Sequence, residues 1–104
     1  MLEIDQSRNG DSLEVSLGEA IQVKLPENPT TGYRWRLQSA GEEALDLEED
    51  SPERSPGGLG AGGARSWRFR ARQAGLVRLE FALQRSWQPQ PIETFRVTIT
   101  VKAR

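Results

Sequence analysis

Apolar residues recur at every second position along most of this chain. Leu2 and Ile4 alternate with charged neighbours, and Leu13, Val15 and Leu17 with polar ones. Ile21, Val23 and Leu25 enclose Gln22 and Lys24. Tyr33, Trp35 and Leu37 enclose Arg34 and Arg36, and Trp67 and Phe69 alternate with Arg68 and Arg70. The clearest run is Val77, Leu79, Phe81 and Leu83; Phe95, Val97, Ile99 and Val101 make the last. Successive side chains of a strand face opposite ways, so a period of two marks a strand with one buried face, and Tyr33, Trp35 and Trp67 are expected in the core. No segment carries a convincing helical stripe. The pattern predicts strands over 13–17 (2–5 lying ahead of it, as its extension or as an eighth strand), 20–25, 33–38, a weak 45–48, 65–72, 76–85 and 92–102. Seven or eight short strands at this spacing predict an all-β, immunoglobulin-like antiparallel β-sandwich.

In such a sandwich successive strands reverse direction, so every second connection lands at the same end. The turns at Gly18, Gly41 and Gly75 fall at one end and are short. The other three connections are unusual. The first is Asn28-Pro29-Thr30-Thr31-Gly32-Tyr33. Pro29 fixes its own φ and drives Asn28 into an extended conformation, while Thr30 and Thr31 are stiff at χ1. Gly32 permits the sharp turn into Tyr33. A loop this restricted loses little entropy on entering a partner. The second connection runs from Asp50 to Ala64, holds Pro52 and Pro56, and ends in a glycine-rich run over 57–63. Loops of that length are functional or disordered. The third, Ser86-Trp87-Gln88-Pro89-Gln90-Pro91 after Arg85, places an indole where Pro89 and Pro91 end the strand. Stiff hydroxyls, bare backbone and an exposed indole thus share one end, the pattern of a binding surface on a scaffold.

Composition narrows the chemistry. A chain of 104 residues suits one domain, expected to span 1–104. With 36% hydrophobic residues the core must be thin, as between two sheets. A net charge of −1 draws the protein to neither nucleic acid nor anionic lipid. The absence of Cys and His removes disulfides, thiolate and imidazole catalysis and the common zinc sites. No catalytic residue, cofactor or metal is expected. The aromatics and arginines of 65–72 fall on opposite faces of a strand, which does not make a base-stacking groove. The acidic run from Glu42 to Glu53 lacks the spaced ligands of a calcium loop and reads as a solvated edge. No apolar run is long enough to span a bilayer, and no basic-then-apolar leader precedes Leu2. The compartment stays open: the periplasm or exterior if a leader has been removed, otherwise the cytoplasm. A carbohydrate-binding sandwich using Trp87 as a platform, or an adhesion module, is the alternative reading.

Taken together, the three loops resemble those of the chagasin-like inhibitors of papain-family (C1) cysteine peptidases. Residues 28–33 reproduce the family's NPTTG-aromatic loop, and Gly60-Ala61-Gly62-Gly63 fits its GxGG loop. Arg85-Ser86-Trp87 stands where the family has Arg-Pro-aromatic, with Ser86 replacing the usual Pro. The resemblance implies a reversible, non-covalent inhibitor, a monomer, that wedges these loops into the cleft of a papain-like cysteine peptidase. It implies that Thr30 and Thr31, flanked by Asn28, Pro29 and Gly32, cover the enzyme's catalytic Cys and His. Gly60, Ala61, Gly62 and Gly63 would lie along the cleft wall, and Trp87 with Arg85 on an apolar patch beyond. Ser86 restrains its loop less than Pro, so weaker affinity or altered selectivity follows. A bacterial source is expected, and bacterial members of the family often act in the periplasm or outside the cell, so by resemblance that location is favoured if a leader has been removed.

Overall fold

The computed structural model describes residues 1–27, 32–39, 44–53, 63–85, 87–88 and 90–103. Among them lie eight strands: β1 (Leu2–Ile4), β2 (Ser12–Ser16), β3 (Ala20–Glu27), β4 (Arg34–Ser39), β5 (Leu45–Glu53), β6 (Gly63–Ala71), β7 (Gly75–Gln84) and β8 (Glu93–Lys102). One short 3-10 turn spans Gln6–Arg8. The strands form two four-stranded sheets, ordered β1-β3-β6-β5 and β2-β8-β7-β4. The all-β sandwich expected from the period of two is present.

The sandwich is not purely antiparallel, which corrects the sequence-based expectation. β1 pairs parallel to β3, and β2 pairs parallel to β8. The cause is that 2–5 is not an extension of 13–17. The chain rises along β1, reverses over 5–11 and descends β2 in the opposite sheet. Gly10 makes that reversal with a φ of +85°, and its N–H donates to Arg96 O at 2.7 Å. Within the reversal, the Ser7 hydroxyl and N–H both donate to Asp5. Those bonds, the hydroxyl's first, hold the Asp5 carboxyl below its usual pKa. After a second reversal at Gly18 (φ +89°), β3 runs in the same direction as β1.

A second correction concerns β5. The weak segment expected over 45–48 continues to Glu53, so the second connection starts later than Asp50. The register shifts between Leu47 and Glu49, and this irregularity breaks the alternation that would have revealed the strand's length. Pro52 is tolerated because β5 is the outer strand of its sheet. Over 44–53 the acidic run does form an edge, and its carboxylates pair with arginines. Asp50 meets Arg65 at 2.8 Å, Glu48 meets Arg70 at 3.0 Å, and Asp46 meets Arg72 at 3.3 Å.

The core lies between the sheets. Trp35, Trp67, Phe69, Phe81 and Phe95 are each at most 1% exposed, and the Trp67 and Phe81 rings sit 4.5 Å apart, tilted. Both tryptophans assigned to the core from sequence are therefore there. Strand register then sets the loop-bearing end. Glu27 pairs with Gly63 and Glu53 with Ala64 in one sheet; Arg34 pairs with Gln84 and Leu83 with Glu93 in the other. The connections 28–33, 54–62 and 85–92 all leave from these strand ends. The turn at Gly18 lies at the opposite end, where its N–H donates to Ala71 O at 2.8 Å. Leu79 is fully buried at the centre of β7. Leu79→Ala is expected to cost about 3 kcal/mol of folding free energy, read as a lowered midpoint in urea unfolding.

Candidate functional site

Of the residues singled out from sequence, Asn28, Pro29, Thr30, Thr31, Gly60, Ala61, Gly62 and Ser86 lie outside the described residues. Gly32, Gly63, Arg85 and Trp87 are described, and all four stand at the loop-bearing end. Gly63 opens β6 and pairs with Glu27, so the second loop rejoins its sheet beside the start of the first. Gly32 has a φ of +79°. This left-handed conformation strains any residue with a Cβ, so glycine is required there on backbone grounds alone.

Trp87 is 69% exposed, as expected of an indole beyond the end of its strand. A hairpin fixes its base. Gln88 N–H donates to Arg85 O at 3.1 Å, and Ile92 N–H donates to Leu83 O at 2.9 Å. The first and third loops touch. A Cβ at position 32 would lie 3.3 Å from Trp87 Cη2. The Arg85 guanidinium sits 4.2 Å from the centre of the Tyr33 ring and 5.7 Å from that of Trp87. Tyr33 Oη approaches Gln88 Oε1 at 3.5 Å, a weak bond between the same two loops. Cation–π contacts of this kind contribute about 0.5–2 kcal/mol, more as water is excluded.

Tyr33, expected in the core, is only half-buried. Its ring forms the floor on which Arg85 rests. Strand register accounts for the contact: extending the Arg34–Gln84 pair by one residue brings Tyr33 opposite Arg85. Residues 32, 33, 85, 87 and 88 thus make one contiguous surface from two loops belonging to different strand pairs. It presents an aromatic plane, a guanidinium and bare backbone, and no described residue there is an evident nucleophile.

Comparison with known proteins bears on the family and the fold. The family pattern described as chagasin family peptidase inhibitor I42 matches residues 14–99. Chagasin of Trypanosoma cruzi is 28% identical over 106 aligned residues, covering 97% of this chain and 96% of its own. Amoebiasin-1 of Entamoeba histolytica is 26% identical over 102 residues, covering 97% of this chain and all of its own. Among solved structures, the cysteine protease inhibitor EhICP2 from Entamoeba histolytica superposes with a TM-score of 0.88 at 19% identity, over 97% of this chain and 95% of that one. PbICP-C, solved in complex with falcipain-2, gives a TM-score of 0.72 at 16% identity, over 98% of this chain and 100% of that one. At these identities the two structures bear on the fold. The two named sequence relatives are protozoan, so they lend no support to a bacterial source.

Gly32→Ala should destabilise the protein by about 1–2 kcal/mol, because Ala resists a positive φ. The added methyl must also displace Trp87. Urea unfolding and the indole emission of the folded protein measure the two effects separately.

Proposed function

The chain belongs to the chagasin family of peptidase inhibitors, and we propose that it blocks papain-like cysteine peptidases by seating its loop-bearing end in the substrate cleft. The observation that carries this reading is the meeting of Gly32, Tyr33, Arg85 and Trp87 in one surface at the end where Gly63 also lies. Three loops rooted in two packed sheets can act as one rigid wedge, and rigidity before binding raises affinity by lowering the entropy lost on contact.

In this reading Thr30 and Thr31 sit over the enzyme's catalytic Cys and His, with Asn28, Pro29 and Gly32 setting their height. The backbone of Gly60, Ala61, Gly62 and Gly63 lies along one cleft wall, where absent side chains allow close approach. Trp87 packs on an apolar patch across the cleft. Arg85 edges that contact and supports the indole through its stack on Tyr33. Inhibition is steric and reversible, and the inhibitor acts as a monomer. An interface of standard size buries about 800 Å² per partner, and nanomolar affinity requires about −12 kcal/mol. A Trp and an Arg at the centre are the residue types that most often supply it. The carbohydrate-binding and adhesion alternatives give way to family membership. A site of action outside the cytoplasm is proposed from the family resemblance alone.

The test is titration of papain and a cathepsin-L-type peptidase with the purified protein, following a fluorogenic peptide, with a serine peptidase as control. Inhibition of the cysteine peptidases alone is expected. It should weaken at least about 100-fold in a folded Thr31→Arg, Trp87→Ala double variant, and tighten in Ser86→Pro. Absence of inhibition at micromolar concentration by both the wild type and Ser86→Pro would contradict the reading.

A further inference from the structure

Beneath the loops, three groups of the first sheet converge on one residue of the second. Trp35 N–H donates to Glu27 Oε2 at 2.9 Å, and Trp35 Nε1 donates to Pro26 O at 2.8 Å. Arg65 Nη1 donates to Trp35 O at 3.2 Å. Arg65 is itself held by Asp50 Oδ1, through Nε at 3.0 Å and Nη2 at 2.8 Å. β4 is the outer strand of its sheet, so alternate backbone groups along it have no ladder partner. At Trp35 those groups are taken by side chains of the opposite sheet.

Glu27 is 8% exposed. Burying a carboxylate is by itself a poor route to stability, since an apolar residue at such a position is often neutral or better. What the carboxylate adds is direction and distance. Its position in the chain says what is being placed. Glu27 immediately precedes the first loop and Trp35 follows it. Gly63, where the second loop returns, pairs with Glu27. Asp50 and Arg65 lie near the two ends of that second loop. Leu83, two residues before Arg85 of the third loop, pairs with Trp35. The roots of all three loops therefore meet at this cluster.

We propose that Glu27 and Arg65 are positioning residues of the inhibitory surface. Their bonds to the Trp35 peptide fix the two sheets relative to each other at the loop-bearing end, and so set the spacing of the loops for the peptidase cleft. The inference rests on the inhibitor reading above and adds to it residues that need not touch the enzyme.

Four variants test it: Glu27→Leu, Glu27→Gln, Arg65→Met and Val15→Ala. Val15 is buried at the far end of the sandwich, opposite Val101 and away from the loops, so its truncation reports on stability alone. Each variant is assayed against papain well below its own melting midpoint. In the free protein, the backbone resonances of Gly32 and Tyr33 and the indole resonance of Trp87 are recorded. Glu27→Leu should raise the inhibition constant roughly 10- to 100-fold, mostly through faster dissociation. Glu27→Gln, which keeps an acceptor oxygen, should stay within about threefold of wild type. Val15→Ala should lower the melting midpoint and leave inhibition unchanged. Glu27→Leu, and not Val15→Ala, should shift the three loop resonances. Arg65→Met, which keeps an unbranched apolar side chain and removes the guanidinium, carries the same expectation if Glu27→Leu does not fold. A folded Glu27→Leu or Arg65→Met variant with a lowered melting midpoint but wild-type inhibition and unmoved resonances would overturn the proposal. Failure of the wild type to inhibit would instead remove the inhibitor reading, while the resonances would still decide whether Glu27 positions the loops.

Discussion

An open sandwich has to satisfy the bare edge of its outer strands, and here the edge of β4 at Trp35 is satisfied by the opposite sheet. The indole fills the core at 1% exposure, while its N–H, its Nε1 and its carbonyl all bond across the interface. The other core indole contrasts with it: among the described residues, Trp67 Nε1 is buried with no hydrogen-bond partner. That difference makes Trp35 the polar joint of the two sheets and leaves Trp67 to packing. Sheets stacked by apolar contact alone can slide, because the hydrophobic effect is non-directional. A directional bond set at one end prevents sliding where it would matter most.

The consequence for function is a matter of entropy. A wedge assembled from three loops binds well only if the loops are already spaced for the cleft. Two devices accomplish this at different heights. Low down, Glu27 and Arg65 hold the strand ends through Trp35. Higher up, the Arg85 guanidinium lies over Tyr33 and within cation–π reach of Trp87, joining the first loop to the third. The glycine at position 32 serves both, since it turns the chain with a positive φ and leaves room for the Trp87 ring.

Most of the sandwich was legible in the sequence because burial writes a period of two into every half-buried strand. β3, β7 and β8 follow it nearly without exception. Legibility failed where the backbone departs from that period. The polar stretch over 5–11 gives no sign that the chain changes sheets, so β1 could pass for an extension of β2 and the parallel pairs were missed. Leu47, on the outer strand, is 47% exposed, and the register shift that follows it disguised the second half of β5. The loops were legible through their rigid and glycine-rich composition, and their order matched a family. Glu27 and Arg65 were not. A charged residue beside a loop looks solvated from sequence, and only the pairing of β3 with β6 and the facing of β4 bring either to Trp35. Arg65 shares its phase with Trp67 and Phe69, a signal hidden by the arginines that alternate around them.

The central claim is that one end of the sandwich acts as a single inhibitory surface. Hydrogen exchange of the free protein and of its complex with papain, compared peptide by peptide, tests it most directly. The account predicts new protection over 28–35, 60–65 and 85–88 together, with the turns at Gly18 and Gly75 unchanged. Protection confined to one of the three segments, or appearing at the Gly18 end, would contradict it.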